Sequence, residues 1–298
     1  MGTEYRDRQV MPSCDEPLYV GIWPDVANDH QFRTVYVYMP HGDLVPPPRR
    51  LFQTQKSREY VASKPLLMKG IQSWRNSGVE CVFHDDLEQD EFMKKGDPEL
   101  YSLWRRLPIP VMKADIWRYA IIYAYGGIYA DADTALAPNM LDTMLEPCLL
   151  LCTAENHIHC CNWVFSAPPK SPVLKYVLDL VVNRLRAHGT IDAGSFQSNP
   201  HLIHSLTGPG AFTDGVRAWA RSVGIVLPGS VLDWSTNTNC VEHGLVVRPS
   251  KHFHEKVVLH RFSGQWPDGW THARDRLVRE GRNARRLVLT LWDNRHLK

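Results

Sequence analysis

An α/β fold, with a central sheet flanked by helices, is what the sequence predicts, and three observations predict it. From about residue 50 onward, β-like runs alternate with helical runs, the pattern that layers helices on a sheet. The run 114–125 is apolar on nearly every side, which marks a helix buried all round. It leads through Gly126-Gly127 directly into the short β-like "IYADAD". The 298 residues, 44% hydrophobic and 22% charged, are enough to bury a core for one large domain or two small ones.

Residues 1–48 hold two β-like runs, "LYVGIW" and "TVYVYMP", and end in the stiff connector "PPPRR". They read as an N-terminal extension, and 49–298 as the main domain. "RRLFQTQKS" is a strand running into a loop, "KPLLMKGIQSWRNSG" a helix ending at Gly78, and "VECVFHDD" a second strand, so the first unit is β-α-β. Two helices follow, "LEQDEFMKKG" and "DPELYSLWRRL", the second with Asp97 as N-cap and Pro98 at its first position. After the buried helix, Gly126-Gly127 suits a left-handed cap. "CLLLCTA" and "NWVFSAP" are β-like, 172–188 is helical, and "GTIDAGSFQSNP" is a loop. "TGPGAFTDGVRAWARSVG" predicts a turn and a helix, "LVVRPS" and "KVVLHRF" strands, and a basic helix closes the chain. No internal repeat and no second domain is evident.

The formal charge is +2, from 34 Lys plus Arg against 32 Asp plus Glu, so no global field points to nucleic acid or an anionic membrane. Seven cysteines, two of them adjacent at Cys160 and Cys161, argue for reduced thiols over a paired disulfide framework. No stretch approaches the roughly 18 to 20 apolar residues of a membrane helix, so the expectation is a soluble, cytoplasmic protein. Arg6 breaks the myristoylation pattern that Gly2 would begin, and no Asn-x-Ser/Thr acceptor occurs.

Four charges stand out because burial should penalise them. Asp131 and Asp133 are two apart, so on an extended segment both carboxylates face one side, and two like charges that close call for a cation. A divalent metal held by hard oxygen ligands, with substrate phosphates completing the set, is the natural neutraliser. Asp115 and Arg118, three apart on the buried helix, share a face. They form either a structural ion pair or, since such pairs are costly to bury, a pair kept to hydrogen-bond sugar hydroxyls or a phosphate. The helix and the Asp pair are joined only by the Gly-Gly turn, so the two charge pairs can converge on one cleft.

"KADIWRYAIIYAYGGIYADADTAL" resembles the signature of the DXD sugar transferases of the family 32 type, which include fungal α-mannosyltransferases and α-galactosyltransferases. More distantly it is similar to the glucosyltransferase domains of clostridial toxins. "RRLFQTQKS", "ECVFHDD", "LTGPGAF" and "LHRFSGQW" resemble flanking segments of that family, over about 50–270. The resemblance implies a GT-A fold, a Rossmann-like mixed sheet flanked by helices, with 49–298 as the catalytic domain. It implies a metal-dependent, retaining transfer of a hexose from a nucleotide-sugar, UDP-hexose preferred over GDP-mannose, to a glycan or other hydroxyl acceptor. Asp131 and Asp133 would hold Mn²⁺ or Mg²⁺ on the diphosphate, joined by His260. Asp115 and Arg118 would contact the hexose, and Gln53 and Trp266 the rest of the donor, with Gly264 beside Trp266. Asp115, Arg118 and Asp133 would carry the catalysis. The chain departs from the family at "QTQKS", where Gln55 stands near the place of a usual tryptophan, so base recognition is left open.

Two other readings compete. A haloacid-dehalogenase-type phosphohydrolase needs Asp-x-Asp-x-Thr, whereas here Thr134 comes one place early and Ala135 holds the threonine's position. An inactive module that binds nucleotide-sugar without turnover is opposed by the intact four charges. The cluster "CTAENHIHCC", with Cys152, His157, His159, Cys160 and Cys161, matches no closed zinc spacing, and His157 fits an active-site loop better.

Overall fold

Alternate residues of the inner strands enter different apolar layers. In β1 (Arg50–Thr54), Leu51 packs with Trp74, Ile128 and Ala130, while Phe52 joins Trp117, Tyr129 and Phe165 on the other side. The same alternation runs through β3 (Gly127–Ala130) and β6 (His159–Ala167), where Val164 faces the first layer and Phe165 the second. Strands covered on both faces read as near-continuous apolar runs, which is how they stand in the sequence. The computed structural model describes residues 44–155, 158–191 and 201–249, with the backbone of 258–260.

Between β1 and β2 (Glu80–His84) lie α1 (Arg58–Ala62) and α2 (Pro65–Asn76). Next come α3 (Asp86–Lys95), α4 (Pro98–Arg105) and α5 (Pro110–Tyr125), then β3. Asp85 and Glu88 form a capping box on α3, and the Asp97 side chain accepts from the Leu100 amide at the start of α4, as the cap residues predict. After β3 come β4 (Thr134–Leu136), β5 (Leu150–Glu155), β6 and α6 (Pro172–His188). The described chain continues with α7 (Leu202–Leu206), α8 (Pro209–Ser222), α9 (Thr238–Glu242), β7 (Leu245–Pro249) and β8 (Val258–His260).

Six strands form a mixed sheet in the order β2-β1-β3-β6-β5-β7, and β4 pairs antiparallel with β8 in a separate two-stranded ladder. β1 is parallel to both β2 and β3, while β6 is antiparallel to β3 and β5. The chain moves outward from β1 to β2 and returns on the other side of β1 to β3. That reversal makes the carboxyl ends of β1 and β3 a topological switch point, the place where open α/β sheets bind ligands.

The α/β class and the mixed sheet flanked by helices follow the sequence. Several local readings need correction. The elements α1, α7 and α9 were not expected, because five residues are too few to show a helical period. β4, three residues long, was hidden for the same reason, and β6 begins at His159, three residues before the expected "NWVFSAP". Gly126 has the positive φ that its place demands, 65°, but its ψ of −180° lies outside the left-handed helical basin. Both positions need glycine for space as well: a Cβ on Gly126 would lie 2.5 Å from Pro169 Cδ, and one on Gly127 2.5 Å from the Arg50 carbonyl oxygen. The runs "LYVGIW" and "TVYVYMP", most of the 189–200 loop and the closing basic helix lie outside the described residues. No helix among the described residues is long and apolar enough to cross a membrane.

Candidate active site

The carboxyl end of β3 carries the Asp-x-Asp. Ala130 ends the strand, and 131–134 then turns back into β4, with the Thr134 amide donating to the Asp131 carbonyl at 3.0 Å and the Thr134 hydroxyl to the same oxygen at 2.6 Å. This corrects the expectation that an extended segment puts the two carboxylates on one face. A hydrogen-bonded turn holds them, because the chain must reverse to form β4. Gln53, buried near the end of β1, donates from its side-chain amide to the Asp131 carbonyl at 3.4 Å. The first strand therefore reaches the turn through its own side chain.

Helix α5 brings the other charge pair to the same place. Asp115 and Arg118 are 4% and 5% exposed, too buried for either charge to be left to water. Arg118 Nη2 lies 3.4 Å from Asp115 Oδ1, and Arg118 Nη1 lies 3.2 Å from Asp131 Oδ1. The guanidinium thus bridges α5 to the turn. It also donates to the carbonyl oxygens of Asn162 and Ala114 and lies over the Tyr129 ring, 4.5 Å from its centre. The Tyr129 hydroxyl donates to Asp131 Oδ1 at 2.5 Å. Asp115, Arg118 and Asp131 are therefore brought together, with Asp133 two residues beyond Asp131 in the turn.

Electrostatics follow from this geometry. Burial pushes the Asp115 carboxyl up to about 6, against the opposing pull of Arg118 and the hydrogen bonds of Thr207 and Asn162. Burial alone would weaken the charge on Arg118, but Tyr129, Asp131 and Asp115 outweigh it and raise its pKa, so the guanidinium stays charged. Tyr129 and Tyr119 are also raised, by burial first, and remain hydroxyl donors at neutral pH. Among the described residues, one guanidinium stands with three carboxylates, a net negative set.

That charge and the donor types suit a hard divalent cation. Two carboxylate-bearing residues in one turn offer oxygen ligands without forming a complete protein cage, the composition of sites that share their metal with substrate phosphates. Among the described residues, no three His, Cys, Asp or Glu side chains cluster as a complete metal cage, here or elsewhere. The donor set of Asp131 and Asp133 is therefore compatible with a hard divalent cation. For His260 the backbone alone is described: it pairs with Thr134 across the β4–β8 ladder, one residue from Asp133. Trp266, Gly264 and His157 lie outside the described residues. Gln55 accepts from the Lys56 amide at 2.9 Å.

Sequence reasoning missed four residues of this site. Asn162 in β6 donates to Asp115 Oδ1 at 2.9 Å and to the Tyr119 hydroxyl at 2.7 Å. Thr207, between α7 and α8, donates to Asp115 Oδ2 at 3.0 Å. Tyr119 and Tyr129 complete the surroundings. A lone amide in the apolar run "NWVFSA" was a usable signal, since a buried amide needs partners. The other cluster is resolved differently: Cys152, Cys160 and Cys161 are buried free thiols, and His159 packs edge-on against His204 with ring centres 4.3 Å apart.

Residues 64–150 match the family model described as glycosyltransferase sugar-binding region containing DXD motif. Residues 64–150 therefore carry the signature of a DXD glycosyltransferase sugar-binding region. The match includes Asp115, Arg118 and the Asp131–Asp133 turn and stops before Asn162. Among curated relatives, the initiation-specific alpha-1,6-mannosyltransferase of Schizosaccharomyces pombe is 24% identical over 205 residues, which cover 59% of this chain and 48% of the relative. The enzyme of the same name from Candida albicans is 22% identical over 290 residues, 77% of this chain and 74% of the relative. The match thus spans about half the length of the first of these relatives and about three quarters of the second. A solved structure, PaToxG glycosyltransferase, is similar at 12% identity with a TM-score of 0.44, over 68% of this chain and 88% of that one.

Proposed function

We propose that this DXD transferase moves a hexose from a nucleotide-sugar to a glycan or other hydroxyl acceptor, with Mn²⁺ or Mg²⁺ at Asp131 and Asp133. The observation that carries the reading is the bridge of Arg118 between Asp115 and Asp131 at the carboxyl end of β3. It supports one cleft that serves both the sugar and the diphosphate. A metal there would offset the negative charge that develops on the leaving diphosphate. Arg118, charged and fixed by two carboxylates, adds a permanent positive potential beside that leaving group. Asp115 accepts from a hexose hydroxyl, Gln53 braces the turn from β1, and His260 joins the diphosphate side. Configuration is retained, in keeping with the resemblance.

The donor is the finer question. The sequence favoured a UDP-hexose, with GDP-mannose second. The names of the two yeast relatives favour a mannosyl donor, so we place GDP-mannose beside UDP-hexose. A panel of UDP- and GDP-sugars, assayed for hydrolysis with Mn²⁺ and again with excess EDTA, tests the proposal. Metal-dependent release of nucleoside diphosphate from one donor class is the expected result. Absence of binding and hydrolysis across the panel by folded protein would overturn it.

A further inference from the structure

Asp115 is held by a closed ring of hydrogen bonds that draws on three separate parts of the chain. Asn162 of β6 donates to Asp115 Oδ1 and to the Tyr119 hydroxyl, at 2.9 and 2.7 Å. The Tyr119 hydroxyl donates onward to the Thr207 carbonyl at 2.8 Å, and the Thr207 hydroxyl returns to Asp115 Oδ2 at 3.0 Å. Asp115, Tyr119, Asn162 and Thr207 are all buried. Every donor in the ring has an acceptor, the condition under which a buried polar network fixes one geometry.

A carboxylate oxygen has two lone pairs. Oδ1 of Asp115 accepts from Asn162 and is ion-paired with Arg118 Nη2 3.4 Å away, so the guanidinium stands over its remaining side. Oδ2 accepts from Thr207, and among the described residues no second donor to it is present. One lone pair of one oxygen is thus the part of Asp115 left for a ligand.

We infer that Thr207 and Asn162 are positioning residues, which lock the Asp115 carboxylate so that a single Oδ2 acceptor position serves a hydroxyl of the donor hexose. This rests on the proposed nucleotide-sugar transfer. Thr207 directs the oxygen that binds, while Asn162 occupies the one that does not. Neither touches the sugar. Their effect passes through Asp115, so it belongs to the hexose and not to the nucleotide.

The test compares Thr207→Val, which keeps the branched shape and removes the hydroxyl, with Thr207→Ser, which restores it. Turnover of the preferred donor and calorimetric affinity for the matching nucleoside diphosphate with Mn²⁺ are measured on proteins of matched thermal stability. Thr207→Val should lose about 10- to 100-fold in kcat, the usual cost of removing a supporting hydrogen bond. Thr207→Ser should stay within about 3-fold of wild type, and diphosphate affinity should not change in either. Wild-type kcat in a folded Thr207→Val protein, an equal loss in Thr207→Ser, or a parallel loss of diphosphate affinity would each overturn the inference. Should Thr207→Val not fold, Tyr119→Phe decides: it opens the ring one step from Asp115, and an unchanged kcat overturns the inference. A wild type that neither binds nor hydrolyses any nucleotide-sugar removes the proposed function and this inference together. A fully active wild type with equally active variants removes this inference alone.

Discussion

The indole N–H of Trp74 donates to the Thr134 hydroxyl at 3.1 Å, and that hydroxyl donates in turn to the Asp131 carbonyl. Helix α2 is thereby joined to the Asp-x-Asp turn. The joint is tight at Gly70 as well, where a Cβ would lie 2.4 Å from the Thr134 carbonyl oxygen, which is backbone and cannot swing away. Gly70→Ala should therefore push helix and turn apart, at the cost of about 1 to 3 kcal/mol typical of overpacking, or about 3 to 10 °C in Tm. A melting curve within about 1 °C of wild type would show that the joint gives more easily than this geometry implies.

Asp133 stands in the same turn and is partly exposed. Asp133→Ala should leave the fold intact and abolish metal-dependent turnover, because a bound metal contributes several kcal/mol at the transition state. Turnover of purified Asp133→Ala at the wild-type rate would refute the metal assignment.

His260 pairs in register with Thr134. If its imidazole meets the diphosphate or the metal, His260→Ala should weaken binding of nucleoside diphosphate plus Mn²⁺ and flatten its pH dependence between roughly pH 5.5 and 7.5, around the reference histidine value of about 6.5. Titrations at several pH values decide this. Parallel curves of equal affinity would leave the diphosphate to the two aspartates.

The edge-on pair of His159 and His204 makes a separate prediction about stability. Burial first, then His204 and Arg217, hold His159 down to about 4, and burial followed by His201 lowers His204, with Asp214 opposing both shifts. The folded state thus takes up fewer protons than the unfolded chain, whose histidines titrate near about 6.5. Their contribution to stability is complete above that value and is lost as pH falls toward 4. Tm should drop over that interval, and His159→Gln should reduce the drop. An identical acid profile in the variant would assign the loss to other groups.

Much of the site was legible because charge in an apolar context is conspicuous. Asp115, Arg118, Asp131 and Asp133 drew attention through the cost of burying them, and their spacing along one helix and one strand end sufficed to group them. The helices at 98–105 and 172–188 were equally clear, each opening with Pro behind a capping side chain. What could not be read was anything depending on distant parts of the chain. Asn162 and Thr207 lie 47 and 92 residues from Asp115, and no local pattern connects them. Nor could the turn at 131–134 be told from a strand, since β4 exists as a partner of β8 far downstream.

The separation of Asp115 from Thr207 also has a consequence in time. At about 5 to 20 residues per second, ribosomes need several seconds to add the 92 residues between them. Throughout that interval α5, the most apolar helix of the site, carries a carboxylate whose lock has not yet been made. A nascent chain stalled short of residue 207 is therefore expected to leave 110–125 open to protease, and one stalled well beyond it to protect that segment. Pulse proteolysis of the two arrested chains reads the difference, and equal protection in both would mean that α5 settles before its last hydrogen-bond partner arrives.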